Sequence, residues 1–255
     1  MRDPGREPVR NRLEALGFQV DDVAENPKQK RPDFYTSKNG ITMFVEVKTR
    51  TEDAELRAKM ESVGIGATES ILVSLDKHSS LSSHVEKANV QLGSAASADD
   101  LRLLWFQADN GLVVQNAREQ IGATLLGIRT VVAKRNGARR VRLCFYAGYA
   151  DFFRCREIDG AMLEVDGALT LIPNQFSPRQ DAFAFSPIYE AIAPAILDVR
   201  QAESEDAIYV IDGEIDRKSD EALLDYLRKK YPNDEFLAFG RSCAGTTVTT
   251  IDGRR

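Results

Sequence analysis

The sequence predicts a protein of the α/β or α+β class, in which short strands alternate with amphipathic helices. Two observations favour this class. Apolar residues recur with helical spacing in some segments, and they form short β-rich or alternating runs in others. The chain also has 255 residues, 43% of them hydrophobic and 29% charged, which is enough to bury a full core. These proportions exclude an intrinsically disordered chain and argue against a fibrous one.

The first half of the chain predicts helices placed around a hairpin. Asn39-Gly40 stands between two β-rich runs, and this dipeptide is a strong signal for a two-residue hairpin turn. Gly17 follows an amphipathic segment and ends it as a helix. The predicted order is helix 7–16, strand 18–24, the hairpin, helix 51–62 and strand 71–75.

A capping box predicts where the next helix begins. Ser83 is followed three residues later by Glu86, and Val85, Ala88 and Leu92 then form one apolar stripe. The remaining predictions are strand 101–107, helix 114–126, strands 129–133 and 140–147 around Asn136-Gly137, hairpin 162–165 with 169–172, helix 220–230, and strands 235–239 and 246–251.

Proline residues suggest one boundary in the chain. They cluster between Pro173 and Pro187, so we expect one domain over residues 1–172 and a C-terminal α+β extension over residues 173–255. No flexible linker separates the two parts, which leaves open that the extension packs into the same body.

Charge, apolar run length and cysteine content indicate the compartment and the kinds of partner to expect. No apolar run is long enough to span a membrane, and residues 1–12 are too charged to be a secretory signal. Three scattered cysteines indicate reduced thiols, so we expect a cytoplasmic protein that does not bind membranes. A net charge of −5 argues against a surface that binds nucleic acid everywhere, but not against a basic patch. The run from Arg135 to Arg142 is such a patch, or a set of solvated arginines.

The hairpin around Asn39-Gly40 carries the most informative residues. Continuing the pairing outward from Lys38 and Ile41 places Asp33 opposite Glu46, with their Cβ atoms about 4.5–5.5 Å apart. Alternation along the strand gives Glu46, Lys48, Thr42 and Phe44 one face, and Ile41, Met43, Val45 and Val47 the other.

Two carboxylates directly across a sheet repel each other, so stability alone does not favour this arrangement. A divalent cation would remove the repulsion, since Mg²⁺ prefers oxygen ligands and polarises bound water and phosphate. Lys48 would then stand close enough to stabilise a phosphate or to steady the attacking water. The alternative is a solvated hairpin edge, with the carboxylates balanced by Lys48 or Arg31.

The segments Pro32-Asp33 and Glu46-Val47-Lys48 resemble the signature of the PD-(D/E)xK nuclease superfamily, whose fold is restriction-endonuclease-like. The resemblance covers roughly residues 6–110. It implies a mixed β-sheet flanked by helices. It also implies that Asp33, Glu46 and the main-chain carbonyl of Val47 bind Mg²⁺ or Mn²⁺, and that Lys48 assists the nucleophile.

The same resemblance implies further site residues on the two neighbouring helices. Glu14 stands where an acidic residue of the preceding helix often completes the site, although an ordinary surface pair with Arg10 explains it equally well. Gln91 would orient the water or contact the scissile phosphate, and Lys87 would bind substrate. A solvated helix face explains those two residues equally well.

The resulting expectation is a Mg²⁺-dependent nuclease that hydrolyses phosphodiester bonds, with DNA as the expected partner and RNA left open. Superfamily members often dimerise to cut both strands, so a homodimer is one expected state. The alternative is a catalytically inactive module that keeps the nuclease fold and binds nucleic acid or protein.

Overall fold

The computed structural model describes residues 4–24, 30–50, 62, 68–74, 79–108, 114–240 and 243–249. The protein is α/β, and its sheets are flanked by helices. Within those ranges, no helix has the length and apolar character needed to cross a membrane.

The strands are β1 (Gln19–Asp22), β2 (Phe34–Lys38), β3 (Ile41–Arg50), β4 (Thr68–Ser74), β5 (Leu101–Ala108), β6 (Arg129–Arg135), β7 (Ala138–Phe145), β8 (Gly160–Val165), β9 (Ala168–Pro173), β10 (Tyr209–Val210), β11 (Glu235–Gly240) and β12 (Cys243–Thr249). The helices are α1 (Arg6–Ala15), α2 (Ser79–Ala95), α3 (Val114–Leu126), α4 (Asp151–Arg154), α5 (Gln180–Ala184), α6 (Pro187–Ala191), α7 (Val199–Ser204) and α8 (Asp220–Lys230), with a 3₁₀ turn at Ala193–Ala195.

The largest sheet has six strands in the order β1-β2-β3-β5-β8-β9. Its central strands β3, β5 and β8 are parallel, whereas β1, β2 and β3 at one side and β8 with β9 at the other are antiparallel. The sheet is therefore mixed. Helices α1 and α2 cover opposite faces of its hairpin strand. Val9 and Leu13 of α1 share a core with Val45 and Val47, and the α2 stripe packs with Phe44 on the other face.

The second sheet has four strands in the order β10-β7-β6-β11. The hairpin between β6 and β7 turns at Asn136-Gly137 as predicted, with both residues at positive φ. Strand β10 pairs with β7 in parallel and β11 pairs with β6 in antiparallel, so this sheet takes strands from both sides of the boundary predicted at residues 172 and 173. A third pairing joins β4 to β12.

Most predicted elements are confirmed within a few residues, and α3 and α8 have the predicted bounds. The predicted start of α2 is wrong. The helix begins at Ser79, four residues before Ser83, because its apolar stripe extends back through the buried Leu81. Ser83 therefore lies inside the helix and cannot cap it. The predicted helix over residues 51–62 falls outside the described residues, apart from Ser62 in a turn.

The arginine side chains of the basic run in β6 and β7 form ion pairs with carboxylates of the same chain. Arg135, Arg140 and Arg142 all contact Asp206, and Arg135 also contacts the buried Asp234 at 2.6 Å. These guanidinium groups hold the pKa of Asp206 well below its ordinary value. The three arginines therefore tie the hairpin to the loop before β10.

Candidate active site

The hairpin of β2 and β3 has the register that the Asn39-Gly40 turn predicts. Its ladder runs from Lys38 opposite Ile41 to Phe34 opposite Val45. Asn39 and Gly40 both have positive φ, at 55° and 77°, as a type I′ turn requires. The turn alone therefore fixes which side chains of β3 face each helix.

Asp33 extends this ladder by one irregular step. Its N–H donates to the carbonyl of Val45 at 3.0 Å. Its carboxylate reaches along β3, where Oδ2 accepts the N–H of Val47 at 2.8 Å. The main chain of Asp33 is therefore bonded to Val45 and its carboxylate to Val47, so that Asp33 bonds to the two neighbours of its predicted partner Glu46.

The other carboxylate oxygen of Asp33 binds a residue that the sequence did not single out for the site. Nη1 of Arg6, in the first turn of α1, lies 3.0 Å from Oδ1 of Asp33. The Arg6 side chain also lies 2.7 Å from Asp22 and packs over the Phe34 ring. No local pattern signals this contact, because it arises only when α1 packs on the sheet. Arg6 is thus a site residue that sequence reasoning missed.

Glu46 lies on the face of β3 opposite to Val45 and Val47, together with Phe44 and Lys48, and is almost fully buried, with 2% of its surface exposed. Its Oε1 contacts the ammonium group of Lys48, as expected for neighbours on one strand face. Its Oε2 is buried and has no hydrogen-bond partner in the part of the chain that the structure describes. A buried polar atom without a partner is costly, so this oxygen is a feature that needs an explanation.

Burial raises the pKa of Glu46 to about 7. Lys48 opposes this shift through its positive charge and its hydrogen bond, whereas the negative charge of Asp33 adds to it. Hydrogen bonding by the side chain of Gln91 also lowers the pKa of Glu46. Glu46 therefore exchanges its proton near neutral pH, and a nearby cation would favour the ionised form.

Gln91 lies on α2 close to this carboxylate, and Lys87 lies four residues earlier on the same helix. Gln91 is nearly buried, and its amide nitrogen donates to the carbonyl of Arg31 at 3.1 Å. Lys87 is exposed and lines, with Gln91 and Lys30, a surface groove of about 410 Å³. The groove therefore presents two ammonium groups near Gln91.

Glu14 is not brought to these residues. It lies in the last turn of α1, about 12 Å along the helix axis from Arg6. Its side chain is half exposed and pairs with Arg10 at 3.8 Å. The structure therefore does not support the site role expected of Glu14. The alternative, a surface pair with Arg10, is what forms.

We expect the Glu14→Gln variant to keep within about twofold of wild-type activity in any assay of the site, because surface ion pairs contribute little. The matching variant Asp33→Asn should lose that activity. Parallel measurement of the two variants under identical conditions checks this expectation. Equal losses in both would restore Glu14 to the site.

The residues present fit a hard divalent cation. Two carboxylates, one of which has an unpartnered buried oxygen, supply anionic ligands. The N–H and the carbonyl of a strand residue point toward the same edge, so the carbonyl of Val47 faces the Asp33 side. The described residues contain no group of three or more His, Cys, Asp or Glu side chains that could hold a metal. Mg²⁺ fits such a sparse set because it is commonly bound through one or two carboxylates and waters.

A comparison with known protein families, with curated proteins and with solved structures finds no match for this chain.

Proposed function

We propose that this protein is a Mg²⁺-dependent nuclease that hydrolyses phosphodiester bonds, with DNA as its substrate. The observation that supports the proposal best is the buried Glu46, whose Oε2 lacks a partner in the described structure, beside Asp33 and Lys48. We place its six-stranded mixed sheet, flanked by α1 and α2, in the restriction-endonuclease-like class.

The proposal explains a carboxylate that costs stability. Ionised Glu46 is desolvated, close to the negative charge of Asp33, and satisfied at only one of its oxygens by the described residues. A protein that needed only a stable hairpin would gain from an apolar residue at this position. A cation bound between the two carboxylates would offset both the repulsion and the missing hydrogen bond.

The residues divide the chemistry between them. Asp33, Glu46 and the carbonyl of Val47 would hold Mg²⁺, which would neutralise phosphate charge and lower the pKa of a bound water. Lys48 would turn toward the phosphate and stabilise the charge on its oxygens, and Gln91 would orient the attacking water. The attacking water would give up one proton to solvent as its oxygen bonds to phosphorus, the bond from phosphorus to the sugar oxygen would break, and the sugar oxygen would take up a proton.

Cleavage of labelled single-stranded, duplex and branched DNA, with a single-stranded RNA in parallel, tests the proposal directly. We expect cutting with Mg²⁺ or Mn²⁺ and none with a chelator. An absence of cutting on every substrate would reject an independently active nuclease.

One observation favours a second candidate function. Lys48 contacts Glu46 and Arg6 contacts Asp33, so both carboxylates already have cationic partners. A catalytically inactive module that binds nucleic acid or protein would need nothing more at this position.

Metal-linked melting separates the two candidates. We expect Mg²⁺ or Mn²⁺, at about 100 times its dissociation constant, to raise the melting temperature of the wild type by about 5–10 °C. Asp33→Asn should abolish this shift, because it removes a charged ligand. Asp181→Asn, which changes an exposed carboxylate on α5, is the matched control and should keep it. An equal shift in all three proteins would indicate nonspecific binding.

A further inference from the structure

A second cavity lies next to the active-site groove and has a different chemical character. Its volume is about 290 Å³, and it opens between α4 and the segment before α8. It is lined by Tyr149, Phe153, Arg154, Arg217, Lys218 and the single carboxylate Asp216. Aromatic rings and an excess of cations are the features of sites that bind nucleic-acid strands.

The Phe153 ring of this pocket is held in place by contacts with its neighbours. The guanidinium group of Arg217 packs 4.0 Å from the centre of the Phe153 ring, and Phe176 stacks on that ring at 4.1 Å. Arg217 donates to main-chain carbonyls, among them those of Tyr146 at 3.0 Å and Gly213 at 2.8 Å. Arg217 is therefore fixed as a wall of the pocket and contributes its charge from a set position.

Tyr149 is the exposed ring of the pocket, with 51% of its surface accessible. The guanidinium group of Arg154 lies over it, 5.4 Å from the ring centre. The loop that carries Tyr149 is held by its backbone, since the N–H of Gly148 donates to the carbonyl of Gly127 at 2.8 Å. Gly127 has φ +56°, and a Cβ there would lie 2.8 Å from the Gly148 oxygen. This close backbone packing presents the Tyr149 ring in a preorganised position.

One ion pair connects this pocket to the active-site groove. Nη2 of Arg154 lies 2.6 Å from Oε1 of Glu86. Glu86 lines the groove with Lys87 and Gln91, and Gln91 is about 7.5 Å from Glu86 along the axis of α2. The surface is therefore continuous from Gln91, past Lys87 and Glu86, to the pocket that Tyr149 lines.

We propose that the groove and this pocket together bind a single-stranded stretch of nucleic acid next to the scissile phosphate, with one base stacked on Tyr149. The inference rests on the proposed nuclease function and adds the structural class of its substrate. Lys87 and Lys218 would contact phosphates. Tyr149 can stack only on a base whose face is free, and bases within a duplex already stack on their neighbours.

Binding measured by fluorescence anisotropy in a chelator tests this inference without cleavage. The probes are labelled single-stranded DNA, single-stranded RNA and blunt duplex DNA of equal length. We expect the wild type to prefer a single strand, and Tyr149→Ala to weaken that binding by about tenfold. Tyr149→Phe should bind like the wild type. Lys218→Glu should weaken binding and make it less dependent on salt concentration.

Phe185→Ala is the matched control, because Phe185 is an exposed aromatic residue, 86% accessible, in the segment after α5. It should bind like the wild type. Equal affinities of the wild type and Tyr149→Ala would overturn the inference, as would a preference for blunt duplex or no binding of any probe. If cleavage persists in those cases, the nuclease proposal stands alone. Selective loss of binding in Tyr149→Ala without any cleavage by the wild type supports the strand-binding surface and rejects the nuclease.

Discussion

Replacing Asp33 with asparagine or Lys48 with alanine is expected to lower metal-dependent cleavage by roughly 10³-fold or more. Asp33→Asn keeps the size of the side chain and removes the charge that would hold a cation. Lys48→Ala removes the ammonium group that lies next to Glu46 and leaves both carboxylates in place. Initial rates on the preferred DNA, at saturating Mg²⁺, measure both effects.

Both variants change a salt bridge, so folding must be checked alongside activity. Circular dichroism and the melting temperature without metal serve this purpose, and Asp181→Asn serves as the neutral control for a lost carboxylate. The two variants should then differ in one respect. Lys48→Ala should retain the metal-linked rise in melting temperature that Asp33→Asn loses. Cleavage at the wild-type rate by folded Asp33→Asn would show that Asp33 is not a metal ligand.

Replacing Glu46 with glutamine is expected to stabilise the metal-free protein at pH 8 while removing its activity. The folded protein raises the pKa of Glu46 to about 7, from an ordinary value of 4.5. The folded state therefore binds the proton more tightly than the unfolded state does. The stabilisation that comes from this tighter proton binding is fully present below pH 4.5 and is lost as the pH rises through 7. The neutral amide of glutamine avoids that loss, so Glu46→Gln should raise the free energy of unfolding at pH 8 by up to about 3 kcal/mol.

Urea unfolding between pH 4 and pH 8, without divalent metal, measures this difference. The gain from Glu46→Gln should be small at pH 4, should grow with pH and should level off above pH 7. Glu164→Gln is the matched control, because Glu164 is also buried but accepts bonds from Arg12 and the Trp105 indole. That variant should destabilise the protein by about 1–2 kcal/mol. If Glu46→Gln is also destabilising at pH 8, Glu46 does not carry a burial cost that a cation could offset.

The parts of the site that could be predicted from sequence are those fixed by local geometry. Asn39-Gly40 permits one tight turn, and that turn sets the register of β2 and β3 and the faces of Glu46 and Lys48. The positions of Gln91 and Lys87 followed because the apolar stripe of α2 decides which side of that helix packs on the sheet.

The parts that could not be predicted depend on contacts between distant segments. Arg6 reaches Asp33 only through the packing of α1. The same packing leaves Glu14 on the surface, paired with Arg10. Ser83 and Glu86 have the spacing of a capping box, but burial of Leu81 extends the helix back to Ser79. The pairing of β10 with β7 joins short segments more than sixty residues apart, and no local pattern encodes such a contact.

The order of strands along the chain also has a consequence for how the protein is made. Every strand of the six-stranded sheet has been synthesised once Pro173 has left the ribosome. The β6–β7 hairpin emerges earlier than β8, but β10, α8 and β11, which complete its sheet and cover its apolar face, follow only up to Gly240. A nascent chain of this length therefore contains every strand of the first sheet, whereas Leu223 and Leu227, which share a core with Val131 and Ala133 in the folded protein, have not yet been made. This interval is the stage of synthesis at which a chaperone would find an apolar strand surface to protect.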